Sequence, residues 1–430
     1  MANPRQLRNL IFGLSFGAAT AALAIAFMLT VVASQPAQAQ TLTVLHNFTG
    51  GGDGGYPNSG LTLRGENLYG STPNYGIGYG TVYQLKHNGS GWIFNPLYSF
   101  QGGNDGNQPL ARVIFGPNGT LYGTTLYEGA GGAGTVFNLR PFPTVCRTSL
   151  RPWMKTLLYA FAGGTDGAFP ELADLLFDQS GNIYGTTYNG GTGNDGYGTV
   201  YELSPSGNGY AESVLYRFSG SDGDRPVAGL TPDPSGNGNL YGTTTYGGDL
   251  GCNTGFEPGC GVVYKLTPSE SGWTESIPYE FQNGNDGSLP YAGLIFDSSG
   301  NLYGATENGG SGGGGTVFEL IFSGGSWTLQ TLYSFAGGAN CGPWPSLTMD
   351  GSGNLYGTTY CDGAYGYGNV FELTPTSQPP WTYTSLHDFT GGSDGANPYS
   401  NVVFDGSGNL HGTTYAGGSQ GDGVVWEITP

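Results

Sequence analysis

Basic residues are scarce in this chain. Twelve Lys and Arg stand against 31 Asp and Glu in 430 residues, a formal charge of −19, and only 10% of residues are charged at all. Soluble domains average roughly 25%. Such an acidic chain repels phosphate backbones and anionic headgroups, which argues against nucleic acid and membrane surfaces as partners. The balance suits calcium or a neutral ligand better. Four histidines and five cysteines show no zinc-type spacing. There is also no P-loop, and no G-x-S-x-G in a strand–turn–helix setting. Beyond the first 40 residues no apolar run is long enough to span a bilayer. No Gly-X-Y triplet persists, so collagen is excluded.

Glycine and aromatics are abundant instead: 82 Gly, 26 Pro, and 13% Tyr, Phe and Trp. That aromatic load is too high for a solvated coil, so the glycine must punctuate many short strands. Residues 1–39 read as a Sec-type signal peptide. Arg5 and Arg8 form its basic start, Leu10 to Val32 its apolar stretch, and Ala37-Gln38-Ala39 its cleavage site. An uncleaved anchor is the alternative. Residues 40–430 are then an exported domain, secreted, periplasmic or at the cell surface, without membrane insertion and expected to be monomeric.

Self-similarity decides the architecture. A hexapeptide like N-L-Y-G-T-T begins at Asn67, Thr120, Asn182, Asn239, Asn301, Asn354 and Asn409. A Phe-led Gly-Asp loop ending near Pro precedes each copy, and G-T-V-F-E-L or a variant follows it. One copy reads as four strands: Leu294 to Asp297 (a), Asn301 to Gly304 (b), Thr316 to Leu320 (c) and Trp327 to Phe335 (d). Seven four-stranded repeats of about 52–63 residues predict an all-β, seven-bladed propeller. The last copy stops after its strand c, while Thr41 to Phe48 is an orphan strand d. The N-terminal strand should therefore complete the last blade and close the ring.

The tandem phrases Asn354-Leu355-Tyr356-Gly357-Thr358-Thr359 and Gly315-Thr316-Val317-Phe318-Glu319-Leu320, behind a signal peptide, resemble the bacterial GloVer tandem-repeat family. The resemblance covers residues 41–430. It implies an extracytoplasmic propeller-like repeat protein and brings no activity with it. Family members are described as carrying a choice of anchors, whereas this chain ends on a strand without a hydrophobic tail.

In a propeller the d–a and b–c loops share one face, which makes that face the candidate ligand-binding surface. Its d–a loops carry Asp53, Asp105, Asp166, Asp222, Asp286 and Asp394. Two readings compete: a ring of carboxylates for calcium or sugar hydroxyls, or six separate Asp-Gly turns, which their recurrence favours. The b–c tyrosines Tyr188, Tyr246, Tyr360 and Tyr415 offer rings for sugar stacking, or pack between blades. Breaks in symmetry are more informative. The loop entering blade 6 has Asn340 in the Asp slot, then Cys341 and Trp344. Cys341 is placed to pair with Cys361, and Cys252 with Cys260 inside the long b–c loop of blade 4. Cys146 is left over, near Arg140, Arg147, Arg151 and Lys155, in a c–d insertion read as a solvated loop. His46, His387 and His411 replace the repeat's Tyr and read as structural substitutions rather than as metal ligands. No catalytic residue stands out. The leading expectation is a non-catalytic recognition or scaffold propeller binding a glycan or protein. The alternatives are a polysaccharide lyase or hydrolase, which needs carboxylates converging at the channel mouth, and a structural surface protein.

Overall fold

Strand d of every repeat is long and alternating, whereas strand a is short and nearly all apolar, the pattern of a sheet that narrows toward an axis. A computed structural model describes residues 40–142, 153–192, 196–207 and 209–429. The propeller unit runs from Leu42 to Thr429. It contains seven four-stranded antiparallel sheets, the seven blades of a β-propeller, and no α-helix among the described residues. In blade 5 the strands are Ile295–Phe296 (a), Leu302–Thr306 (b), Thr316–Ser323 (c) and Ser326–Ser334 (d). Strands b to d lie within a few residues of the sequence expectation. Strand a shrinks to two residues, because close to the axis there is no room for a longer ladder.

Blade 7 closes the ring as the repeat count requires. Its order is Thr41–Asn47, Val424–Thr429, Leu410–Thr414, Val403–Phe404, so the N-terminal strand supplies strand d. The Phe48 N–H donates to the Gly423 carbonyl at 3.0 Å, the bond that Phe335 makes to Gly315 within blade 5.

The two threonines of G-T-T divide the work. The first reaches the next blade: Thr186 Oγ1 donates to Ala228 O at 3.1 Å, Thr243 to Ala292 O at 3.0 Å, and Thr413 to Ser59 O at 3.2 Å across the closure. The second ties strand b to strand c, as in Thr187 to Thr199 at 2.8 Å and Thr306 to Thr316 at 2.9 Å. The glycine before them faces the aromatic of strand c. A methyl at Gly242 would overlap the Tyr264 hydroxyl, and one at Gly304 would overlap the Phe318 ring. Core clusters span adjacent blades. Phe335, Val317 and Tyr303 of blade 5 pack with Leu347, Leu355 and Phe371 of blade 6. A single blade therefore buries its apolar faces only against its neighbours.

Candidate functional site

Each loop Asp is engaged locally. Asp166 accepts the Tyr159 hydroxyl at 2.6 Å and the Ala162 N–H at 2.6 Å. Asp105 is held by Tyr98 and the Gln101 N–H, Asp222 by Tyr216 and the Ser219 N–H, and Asp286 by Tyr279 and the Gln282 N–H. The carboxylate thus latches its loop to strand d of the preceding blade, six or seven residues upstream. His46 and His387 take the Tyr place in this latch, each 3.1 Å from Asp53 and Asp394 respectively. Burial alone would raise the Asp394 carboxyl, but hydrogen bonds from Thr390 and His387 hold it below its ordinary value. These carboxylates are separate turn anchors, and the structure does not bring them together.

Lys155 sits differently from its sequence reading, and Tyr246 takes the packed alternative of its two. Lys155 is no part of a solvated basic loop: its ammonium is buried beside the Asp105 carboxylate at 3.1 Å and above the Phe100 ring. Tyr246 is only 5% exposed, because it lies one residue further along its loop than Tyr188 and beneath the Arg225 guanidinium. Cys252–Cys260 and Cys341–Cys361 are disulfides, with Cα separations of 5.7 and 4.5 Å. Asn340 does not copy the Asp latch. Its side chain accepts from Asn308 Nδ2 at 3.1 Å, tying the blade 6 loop to blade 5. Cys146, Arg147, Arg151 and the signal segment lie outside the described residues.

The innermost strands enclose a cavity of about 560 Å³, lined among others by Asn58, Arg112, Asp174, Tyr291, Trp344 and Tyr399. Around its mouth the aromatics form a continuous arc. Tyr291 stacks on Trp344 with centroids 4.4 Å apart and planes 8° apart. Trp344 meets Tyr399 edge-on at 5.0 Å, Tyr399 touches Tyr360 at 4.7 Å and Tyr415 at 5.6 Å, and Tyr415 stacks on Tyr56 at 4.9 Å. All six rings are half-buried. Toward blade 3 the arc gives way to a polar corner, where Arg225 donates to the Tyr188 hydroxyl and to Glu257, both at 2.7 Å.

Backbone geometry explains why such different side chains reach the rim. The residue before the loop proline has a positive φ in Tyr56 (57°), Phe169 (61°), Arg225 (58°), Leu289 (58°) and Asn397 (55°). This left-handed conformation is costly outside glycine and must be enforced by its surroundings. Each N–H donates to the neighbouring blade, as Arg225 does to Tyr197 O at 2.9 Å. The carbonyls of Phe169, Arg225, Leu289 and Asn397 accept from their own b–c loops, as Leu289 O does from the Glu307 N–H at 3.0 Å; in blade 1 Pro73 stands at the donor position. The inter-blade bonds hold the strained turn and present one variable side chain in each of these blades, whereas Trp344 of blade 6 precedes its proline without the positive φ.

Glu307 breaks the symmetry most. It occupies the b–c position that holds Tyr188, Tyr360 and Tyr415 in other blades, directly after the second Thr. Only 3% exposed, its carboxyl is pushed up to about 7 by burial, partly opposed by the Trp344 indole. That indole nitrogen is buried without a hydrogen bond of normal geometry. Glu171, in the loop entering blade 3, is likewise raised to about 7 by burial, with Arg225 opposing. Neither glutamate was singled out from sequence. The available signal was Glu307 standing at a position otherwise filled by Tyr, Leu, Thr or Pro.

Among the described residues no helix is long and apolar enough to cross a membrane, and the two disulfides fit an extracellular protein. The Gloeobacter/Verrucomicrobia (GloVer) repeat matches over residues 24–256 and 250–430. No curated protein matches the chain. Solved structures share the fold. PorZ, an essential surface component of the type-IX secretion system of Porphyromonas gingivalis, is 13% identical with a TM-score of 0.51, over 86% of this chain and 46% of that one. An ancestral GH74 enzyme is 14% identical at 0.56, over 87% and 48%. A PL25 polysaccharide lyase, ulvan lyase, bound to GlcA(1-4)Rha3S is 11% identical at 0.53, over 90% and 95%. The chain thus spans about half the length of the first two.

Proposed function

The chain belongs to the Gloeobacter/Verrucomicrobia repeat family, and from the aromatic rings at its channel mouth we propose that it is an exported, non-catalytic recognition propeller that binds a neutral glycan there. The arc from Tyr291 through Trp344, Tyr399 and Tyr415 to Tyr56 carries this reading. Half-buried rings held in fixed orientation offer the apolar faces on which pyranose rings stack, at little entropic cost. The surrounding hydroxyls and carboxyls supply hydrogen-bond partners. Electrostatics favours an uncharged polymer over a sulfated or uronic one. Arg112 is paired with Asp174 at 2.7 Å and Arg225 with Glu257 at 2.7 Å, so both arginines of the mouth are already neutralised.

The test is affinity electrophoresis of the mature protein through neutral and anionic polysaccharides. A neutral glycan should retard the wild type, and Trp344→Ala should abolish retardation while Asp166→Asn leaves it intact. Retardation by no polysaccharide, or undiminished in Trp344→Ala, refutes the proposal.

One observation favours a second reading, glycan hydrolysis. Glu171 and Glu307, both raised to about 7, are part-protonated at neutral pH, as a general acid requires. Release of reducing ends by the wild type, lost in both Glu171→Gln and Glu307→Gln, would replace the recognition reading with this one. Binding without turnover retains recognition.

A further inference from the structure

Blade 7 differs from the other six at the middle of its sheet. The Tyr of N-L-Y-G is present as Tyr69, Tyr122, Tyr184, Tyr241, Tyr303 and Tyr356, and is replaced by His411 in blade 7 alone. In blades 3, 5 and 6 that phenol bridges two carboxylates, one from the a–b hairpin and one from strand c. Tyr303 lies 3.3 Å from Asp297 and 2.9 Å from Glu319, Tyr356 3.4 Å from Asp350 and 2.9 Å from Glu372, and Tyr184 3.2 Å from Asp178 and 3.1 Å from Glu202. Blade 7 keeps both carboxylates, Asp405 and Glu427, and shortens the group between them.

Imidazole does not reach as far as phenol. His411 Nε2 stops 3.4 Å from Asp405 Oδ2 and 3.8 Å from Glu427 Oε2. One nitrogen and two carboxylate oxygens therefore face one another within 4.8 Å. His411 is fully buried, while the two carboxylates are about one-fifth exposed, 22% and 19%, which leaves a path from solvent. Zinc bonds of about 2.0–2.2 Å place neighbouring donor atoms roughly 3–3.6 Å apart, so a small contraction would complete the set.

We propose that Asp405, His411 and Glu427 form a site for a zinc-class divalent ion, completed by water, that clamps the blade through which the ring is closed. A nitrogen donor and only three protein ligands disfavour calcium, which takes six to eight oxygens. Two anionic ligands in a chain of strongly negative charge favour cation uptake. The ion would join the a–b hairpin to strands b and c of blade 7, and strand c is the one that pairs with the N-terminal strand. His411 Nδ1 has no hydrogen-bond partner to fix its tautomer, so the affinity expected is moderate.

The experiment is calorimetric titration of zinc into the untagged, metal-stripped full chain, with thermal unfolding in parallel. One equivalent should bind, and saturating zinc should raise the melting temperature by a few degrees. His411→Tyr restores the residue of the six other blades, so it should fold and lose at least tenfold in zinc affinity. Glu427→Gln, which keeps the imidazole, should also weaken binding at least tenfold. His387→Tyr and Cys146→Ser should bind as the wild type does. No zinc bound by the wild type, or equal binding by wild type and His411→Tyr, overturns the proposal. Should His411→Tyr not fold, Glu427→Gln decides: undiminished binding overturns the proposal.

Discussion

Replacing Glu307 by Gln keeps the shape of the side chain and removes one buried charge. The carboxyl is 3% exposed and burial lifts it from its ordinary 4.5 to about 7. A folded value above the unfolded one means that the folded state holds the proton more tightly. The stability this contributes is complete below about pH 4.5 and is lost as the pH rises through about 7. The interval from 4.5 to about 7 corresponds to about 3 kcal/mol at 1.36 kcal/mol per pH unit. Gln does not titrate. The stability of Glu307→Gln relative to wild type should therefore be constant below pH 4.5, grow by up to about 3 kcal/mol toward pH 7, and level off near pH 8. With an unfolding entropy of roughly 2.1 cal/mol/K per residue over roughly 390 residues, the gain is about 3–4 °C in Tm. Calorimetric unfolding of both proteins from pH 4 to pH 9 measures it directly. Other titrating groups cancel in the difference. Parallel profiles for the two proteins would refute the assignment of Glu307 as a buried carboxyl at the mouth.

Three further outcomes follow from the repeat's own internal comparisons. The hydroxyls of Tyr201 and Tyr264 are buried without a hydrogen-bond partner, where blades 2, 5 and 6 carry Phe137, Phe318 and Phe371. Tyr201→Phe and Tyr264→Phe should each stabilise by about 1 kcal/mol in denaturant unfolding. Asp166→Ala removes the latch to Tyr159 and Ala162 and should cost about 2–3 kcal/mol by the same measurement, with glycan retardation unchanged. Deleting residues 41–47 strips strand d from blade 7, uncovers strand c and removes Leu42 and Val44 from their cluster. The product should lose cooperative unfolding and aggregate in size-exclusion chromatography, because an open edge replaces a closed ring.

The disulfides and the latch show how far local reasoning reached. Cys341 and Cys361 lie on loops capping neighbouring strands of one blade, so the repeat alignment sufficed to pair them. The Asp of the d–a loop was likewise legible as turn chemistry, because the phenol and backbone N–H that hold it are three to seven residues away. Glu307 was not. It stands in an ordinary b–c position, and the groups it interacts with, Tyr246, Tyr291, Trp344 and Tyr399, come from blades 4 to 7. The same holds for Lys155, whose basic neighbours in sequence suggested solvent, whereas its partner Asp105 lies 50 residues earlier.

Blade number, strand order and ring closure could be read from the chain of letters because each rests on short-range regularities. A period of 53–62 residues, two-residue alternation and a surplus strand at one end leave few other arrangements. The channel mouth could not be read that way. Tyr56, Arg225, Glu307, Trp344 and Tyr399 meet only when seven blades are wound to one axis and their d–a and b–c loops are brought round one mouth. His411 makes the same point within one blade. A Tyr-to-His change is ordinary in sequence, and becomes a gap between two carboxylates only where the strand pairing sets its reach.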